Sequence, residues 1–95
     1  MALGSSSNTH LKVAALALNT AKRMKRVAET ATTCRLAVPA YAGWLANLDV
    51  ALDNLVSAGR PPGGARKLLQ QHRSHNLNKL ADHVVNVCRR EYGGR

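Results

Sequence analysis

The chain contains no phenylalanine and no isoleucine, so its apolar core must be built from leucine, valine and alanine. Alanine buries little apolar area, and each alanine in the core therefore contributes less stabilisation than a larger side chain would. A chain of 95 residues also buries only about 60–65% of its unfolded surface, which makes one domain of this size marginal by itself. We therefore expect a homodimer, in which a second copy covers the apolar face that one copy leaves open.

Aromatic residues are scarce as well, because Tyr41, Trp44 and Tyr92 are the whole set. Proteins that bind single-stranded nucleic acids usually stack the bases on exposed aromatic side chains. Tyr41 and Trp44 fall on or beside the apolar stripe of a predicted helix and are needed in the core. The shortage of aromatic residues therefore argues against a stacking platform for single strands.

Acidic residues are also few: five Asp and Glu stand against 14 Lys and Arg, which gives a net charge of +9. Such an excess in so small a domain predicts an anionic partner. Arginine outnumbers lysine by nine to five, which favours bidentate contacts to phosphate. Asp49 and Asp53 could form an acid/base pair on one helix, but they stand beside no nucleophile, Gly-rich loop or metal ligand. We therefore expect no enzyme.

Neither cysteine belongs to a Cys-x-x-Cys motif, and Cys34 and Cys88 each lie on or near an apolar stripe. Buried free thiols are therefore expected. His72, His75 and His83, with Cys88 as a fourth ligand, form a candidate zinc site. The five-residue spacing between His83 and Cys88 suits the paired ligands of structural zinc poorly. We expect no metal, no cofactor and no small-molecule substrate.

Long hydrophobic runs are absent from the sequence, so we expect no membrane partner. The segment 13–18 is apolar but lacks the basic region that comes before the apolar part of a secretory signal. The first 28 residues are basic, free of acids and rich in Ser and Ala, which is also typical of a mitochondrial presequence. An intracellular protein is the expectation, with the presequence as an alternative.

Apolar residues recur at helical spacing along the chain, and no stretch alternates as a strand would. We predict one helical domain over residues 9–92, with helices at about 9–36, 40–58 and 65–92 and flexible tails at 1–8 and 93–95. Pro39 marks the first break, because proline restricts the residue before it and can itself begin a helix. Gly59 and the Pro- and Gly-rich segment 60–64 mark the second. The polar segment 74–78 leaves open whether the last region is one helix or two.

The second helix carries the main apolar seam and forms a helical hairpin with the first. The seam residues alternate at spacings of four and three: Tyr41, Leu45, Leu48, Leu52 and Leu55. The stripe of the first helix consists of Val13, Ala17, Ala21, Met24, Ala28 and Ala31. Leu11 and Leu18 lie off this stripe, which predicts contact with another subunit. The expected fold is an all-α small helical bundle built on the hairpin and completed by homodimerisation.

The other side of the first helix is basic and polar. A ridge at spacings of four, three, four and three residues consists of Asn19, Arg23, Arg26, Thr30 and Thr33. No acid precedes Glu29, so this ridge suits a row of phosphates better than a network of ion pairs. A helix from Lys12 to Thr33 measures about 32 Å, which is long enough to lie along an A-form duplex. The candidate nucleic-acid-binding residues are Lys12, Asn19, Lys22, Arg23, Lys25, Arg26, Thr30, Thr33 and Arg35.

The basic segment NTAKRMKR at residues 19–26, followed by VPAY at residues 38–41 in an Ala- and Leu-rich chain, resembles the small RNA-silencing suppressors of insect nodaviruses. That family carries a long helix before its basic one, whereas eleven residues precede Lys12 here. The resemblance implies a dimeric all-helical bundle that binds double-stranded RNA regardless of sequence and shields it from dicing. It also implies a viral protein in the host cytoplasm, with phosphate and ribose contacts from Lys22, Arg23, Arg26 and Thr30.

Three other interpretations stay open. A solvated helix face explains the ridge without any partner. A nucleocapsid- or nucleoid-type protein that packages DNA or single-stranded RNA would carry the same excess of charge. A helical protein-interaction module would bind a partner helix with the seam between Tyr41 and Leu55, and its charge would serve solubility.

Overall fold

The structure, a computed structural model, describes residues 2–59 and 64–93, with side chains from residue 8 onward. Three helices account for nearly all of these residues: α1 (Ala2–Thr30), α2 (Cys34–Ser57) and α3 (Ala65–Gly93). No strand occurs within these two ranges. The predicted all-α fold is therefore confirmed.

The three helices alternate in direction, because contacts between neighbours join opposite ends. His10 near the start of α1 contacts Asn54 near the end of α2, with 2.8 Å between Nδ1 and Oδ1. The disulfide between Cys34 and Cys88 joins the start of α2 to the last turns of α3. Helix α2 therefore runs antiparallel to both of its neighbours and lies against each of them.

Small residues line the interface between α1 and α2, which allows the two helices to approach closely. Ala21 and Ala28 of α1 are fully buried, as is Ala51 of α2 in the same cluster. At Gly43 of α2, a Cβ atom would lie 3.3 Å from both Cγ and Sδ of Met24. The glycine therefore makes room for the Met24 side chain, and close backbone packing compensates for the lack of large core residues.

Trp44 forms the centre of the core and is completely buried, as is Leu48 one turn later. Its indole ring lies 5.8 Å from the ring of Tyr41 and meets the ring of His72 edge-on at 6.0 Å, measured between ring centroids. Leu69 and Leu80 of α3 complete the same cluster. The Trp44 side chain thus links α2 to α3 through its contact with His72.

The molecule is elongated. Its radius of gyration is 15.9 Å, against about 12 Å for a compact chain of this length. The principal extents of 62 × 20 × 14 Å indicate a rod about three times longer than it is wide. This shape presents long helix faces to any partner.

The predicted boundaries of the first helix are wrong at both ends. Helix α1 begins at Ala2, within the expected flexible tail at 1–8, and it ends at Thr30 rather than at 36. Thr33 has an extended backbone and begins α2, because its hydroxyl oxygen accepts a hydrogen bond from the backbone N–H of Leu36 at 3.3 Å. Side-chain capping of this kind separates two helices that the apolar period alone would join.

Pro39 does not separate the first two helices, contrary to the prediction. It lies inside α2, six residues after the N-cap Thr33, where proline removes one backbone hydrogen bond and costs about 3 kcal/mol in a helix interior. Ala37 and Ala40 on either side of it are buried against the rest of the bundle. The burial of this segment of α2 therefore outweighs the local preference for a break.

Helix α3 is continuous through the polar segment 74–78, which answers the question of one helix or two. Asn76 Nδ2 donates to the backbone carbonyl oxygen of His72 at 2.8 Å and so satisfies its polar group within the helix. The hydroxyl group of Tyr41 donates to the carbonyl oxygen of Leu77 at 3.4 Å, which holds this segment against α2. Tertiary contacts thus override a weak local propensity.

The expectation of free thiols is also wrong. Cys34 and Cys88 form a disulfide with 4.6 Å between their Cα atoms. The two residues are 54 positions apart, and only the antiparallel packing of α2 and α3 brings them together. The Glu91 side chain adds a second link at this end of the bundle, because it accepts a hydrogen bond from the backbone N–H of Cys34.

Leu11 and Leu18 contact the core of their own chain and remain partly exposed, and their contact with another subunit stays a prediction. They line an apolar groove of about 270 Å³ with Ala14, Ala15, Ala51, Leu55, Ala65 and Leu69. Val13, which was expected on the buried stripe, is 37% exposed, and Ala14 is buried in its place. The buried stripe of α1 is therefore displaced by about one residue at its N-terminal end.

Candidate nucleic-acid interface

Six of the nine candidate residues are exposed on α1: Lys12, Asn19, Lys22, Arg23, Arg26 and Thr30. Asn19, Arg23, Arg26 and Thr30 follow one another along the side of α1 opposite the buried alanines, and we call these four residues the basic ridge. Because α1 ends at Thr30, the exposed row from Lys12 to Thr30 measures about 27 Å rather than 32 Å. The structure thus keeps the predicted row but shortens it by about one helical turn.

The two arginines of the basic ridge have no carboxylate partner among the residues that the structure describes. Arg23 donates through one terminal guanidinium nitrogen to the hydroxyl oxygen of Thr20 at 3.4 Å, which is a weak contact. Arg26 is exposed. Both guanidinium groups are therefore available for bidentate contacts to phosphate.

Thr30 has a defined hydrogen-bonding role. Its hydroxyl group donates to the backbone carbonyl oxygen of Arg26 at 2.9 Å, one turn earlier in α1. The proton is then engaged, and the lone pairs of the Thr30 oxygen can still accept a hydrogen bond. An acceptor at this position suits the 2′-hydroxyl group of a ribose better than a phosphate oxygen.

The remaining three candidate residues lie off the basic ridge. Lys25 is half-buried on the side of α1 that faces α3, and its ammonium group pairs with Glu29 at 2.8 Å. Thr33 caps α2, and Arg35 is exposed in the first turn of α2. The predicted ridge therefore loses Thr33, because the helix on which its spacing was counted ends three residues earlier.

Two apolar side chains share the exposed side of α1 with the basic ridge. Leu16 is 67% exposed and Val27 is 45% exposed. Val27 lies one turn after Arg23, and Leu16 lies two turns before it, both at helical spacing. This face is therefore cationic with apolar positions between the charges.

Sequence reasoning missed a second row of polar residues on α3. His72, Asn76, Lys79 and His83 repeat at spacings of four, three and four, the same period that identified the ridge on α1. Asn76, Lys79 and His83 line a groove of about 320 Å³ with Lys25, Glu29 and Leu80, which we call the α1–α3 groove. The sequence shows the spacing of these residues, but it does not show that they lie beside α1.

The surroundings of the α1–α3 groove are positive. Burial lowers the pKa of His72 below its usual value of 6.5, and the charges of Lys25, Lys22 and His75 lower it further. Asn76 Nδ2 lies 3.3 Å from Nδ1 of His72. The Nε2 atoms of His72 and His83 are buried and have no hydrogen-bond partner among the residues that the structure describes.

A metal centre does not form from the candidate ligands. No group of three or more His, Cys, Asp or Glu side chains comes together within residues 2–59 and 64–93. Cys88, the fourth ligand considered, is bonded to Cys34. Within the same residues, no helix has an apolar stretch long enough to cross a bilayer.

Comparison with known proteins gives no relative from which a function could be transferred. No protein family, no curated protein and no solved structure matches this chain.

Proposed function

We propose that this protein binds double-stranded RNA, without reading its sequence, through the basic ridge of α1. The observation that carries the proposal is the position of Arg23 and Arg26, which are exposed one turn apart and without carboxylate partners in the described part of the chain. A row of unpaired cations on a straight helix suits the regular spacing of backbone phosphates.

A duplex fits this surface better than a single strand. Trp44 is fully buried and Tyr41 is half-buried, so neither can stack on bases. Tyr92 is 72% exposed, but it lines a groove formed by residues of α2 and α3 and by none of α1. A rigid cationic row of about 27 Å can contact phosphates on both sides of a groove without any stacking.

RNA fits better than DNA because of Thr30. Its oxygen is an exposed acceptor next to Arg26, and the 2′-hydroxyl group that could donate to it exists in RNA but not in DNA. The resemblance of residues 19–26 to the basic segment of the nodaviral suppressors points the same way.

A homodimer is part of the proposal. The chain exposes 6496 Å², against about 5300 Å² for a compact monomer of its size. The difference is comparable to the roughly 800 Å² that each partner buries in a standard interface. The apolar groove around Leu18 and Leu69, together with exposed Leu68, provides apolar surface that a second copy can cover. Light scattering after size exclusion tests this expectation.

Protection of RNA from dicing in the host cytoplasm is the biological role that we propose, with no catalysis by the protein itself. A dimer bound along a duplex would cover phosphates that a dicing enzyme must reach. Incubating long duplex RNA with a dicing enzyme and increasing amounts of the protein tests this role. Unchanged cleavage at concentrations that saturate the RNA would contradict it.

A second candidate function is a helical protein-interaction module. The exposed Leu16 and Val27 between the cations of α1 favour it, because exposed apolar side chains within one face are typical of interaction surfaces. This module would bind no nucleic acid even at low salt.

A gel-shift competition with matched duplex RNA, duplex DNA and single-stranded RNA separates these functions. We expect duplex RNA to be shifted at the lowest protein concentration. Equal shifts of duplex DNA would favour a packaging protein, and no shift of any nucleic acid would favour the interaction module.

A further inference from the structure

The α1–α3 groove contains cations from two helices that the proposed ridge on α1 does not use. Lys25 enters it from α1, and Lys79 and His83 enter it from α3. Lys22 lies close enough to influence the same region electrostatically, since its charge acts on the neighbouring His72. Glu29 is the one acid of its lining, and its carboxylate already pairs with Lys25.

The chemistry of this lining fits an oxyanion. Lys79 is exposed and has no ion pair among the described residues. The buried Nε2 of His83 lacks a hydrogen-bond partner in the described part of the chain, although buried polar groups are nearly always hydrogen-bonded. The lining thus provides two ammonium groups beside the ring of His83.

We propose that the α1–α3 groove is a second phosphate-binding site, in which Lys79 and Lys25 hold backbone phosphates of duplex RNA beside the ring of His83. The inference rests on the proposed function and adds a second line of contact to it. The groove and the basic ridge run about parallel to each other, because α1 and α3 run in the same direction on either side of the groove. Lys25 lies about 100° around α1 from Arg26, so the groove presents its cations on a different face of the rod from the basic ridge.

Glu29 controls whether Lys25 is available to a phosphate in the groove. Its carboxylate repels a phosphate and competes with it for Lys25. Binding of a phosphate therefore requires that Lys25 exchange its partner, from the carboxylate of Glu29 to the oxygen atoms of the phosphate. Removing the charge of Glu29 should consequently favour nucleic-acid binding, in contrast to removal of a distant acid.

Two matched pairs of variants test the site, with affinity for a labelled RNA duplex measured between about 50 and 200 mM salt. Lys79→Ala is compared with Lys67→Ala, which removes the same charge from an exposed position of α3 outside the groove. Glu29→Gln is compared with Asp53→Asn, which removes the same charge from an exposed position of α2. Thermal melts confirm that each variant is folded.

We expect Lys79→Ala to weaken binding and to reduce the slope of log affinity against log salt by about one, with a smaller change in Lys67→Ala. Glu29→Gln should strengthen binding more than Asp53→Asn does, because charges farther than about 10 Å from the phosphate are screened. The groove site alone would be overturned if the two variants of each pair changed RNA affinity equally while binding still depended on Arg23 and Arg26. Failure of the wild-type protein to bind duplex RNA at low salt would overturn both the groove site and the proposed function.

Discussion

The hydroxyl group of Thr30 donates a hydrogen bond to the carbonyl oxygen of Arg26 at 2.9 Å, so that an arginine and an oriented acceptor lie one turn apart on the exposed side of α1. This pairing leaves the guanidinium group of Arg26 for a phosphate and the oxygen of Thr30 for a donor on the sugar. The two residues together provide a physical reason for a preference between RNA and DNA.

Replacing Thr30 by valine should reduce that preference. Valine has a similar shape but no acceptor, and the loss of one hydrogen bond costs about 0.5–1.5 kcal/mol. We expect duplex RNA to bind about two- to tenfold more weakly, with duplex DNA unchanged. Fluorescence anisotropy with both duplexes measures the ratio, and an equal loss for RNA and DNA would show that Thr30 does not contact the 2′-hydroxyl group.

Loss of the disulfide should destabilise the bundle. The bond between Cys34 and Cys88 closes a loop with a sequence separation of 54 residues, and disulfides typically contribute about 2–4 kcal/mol by restricting the unfolded chain. A Cys34→Ser/Cys88→Ser variant should therefore melt at a lower temperature than the oxidised wild type. The reduced wild type serves as the control, because it should melt near the variant; if oxidised and reduced wild type melt together, the disulfide contributes no stability.

Alanine at position 21 is required by the close approach of α1 and α2. Its side chain is completely buried, and adding larger groups to a well-packed interface typically costs about 1–3 kcal/mol. Ala21→Leu should lower the free energy of unfolding by about this amount in a denaturant titration. Leu16→Ala, on the exposed side of α1, should change the stability of the monomer little, and an equal loss in both variants would contradict the close packing.

Acidification should weaken the fold partly through His72. Burial and the positive charges of Lys25, Lys22 and His75 lower the pKa of His72 below 6.5, so the unfolded chain binds more protons over the range between the two pKa values. Stability is therefore complete above about pH 6.5 and falls as the pH drops towards the pKa of the folded state. Melting temperatures at a series of pH values should fall less steeply for His72→Gln, and identical pH profiles would exclude His72 as a cause.

The class of fold and the exposed side of α1 could be predicted from spacing alone. Apolar residues at helical intervals identified all three helices, and the ridge from Asn19 to Thr30 lies outside as the spacing predicts. This succeeds because helical periodicity is a local property. An exposed helix face can be predicted without knowing which element packs against the opposite face.

The ends of the helices required information that the local sequence does not carry. Pro39 appeared to be the break, yet burial of Ala37 and Ala40 keeps it within α2, and the hydroxyl group of Thr33 provides the actual cap. The spacing of Thr33 from Thr30 fits both a helix cap and a further position of the ridge. Tertiary packing decides which of the two roles Thr33 takes.

The disulfide and the α1–α3 groove depend on the arrangement of the helices. Cys34 and Cys88 are brought together by the antiparallel packing of α2 and α3, and Lys25 meets Lys79 and His83 only because α3 lies beside α1. Sequence periodicity shows which residues share a face of one helix. It does not show which faces meet.

The salt dependence of duplex RNA binding by Arg23→Ala/Arg26→Ala tests the central claim most directly, with Arg66→Ala/Lys67→Ala as the control of equal charge. If the basic ridge holds two phosphates, the slope of log affinity against log salt should decrease by about two in the ridge variant and by clearly less in the control. Unaltered helical circular dichroism would confirm that the ridge variant is folded. An unchanged affinity and slope in that variant would contradict the account.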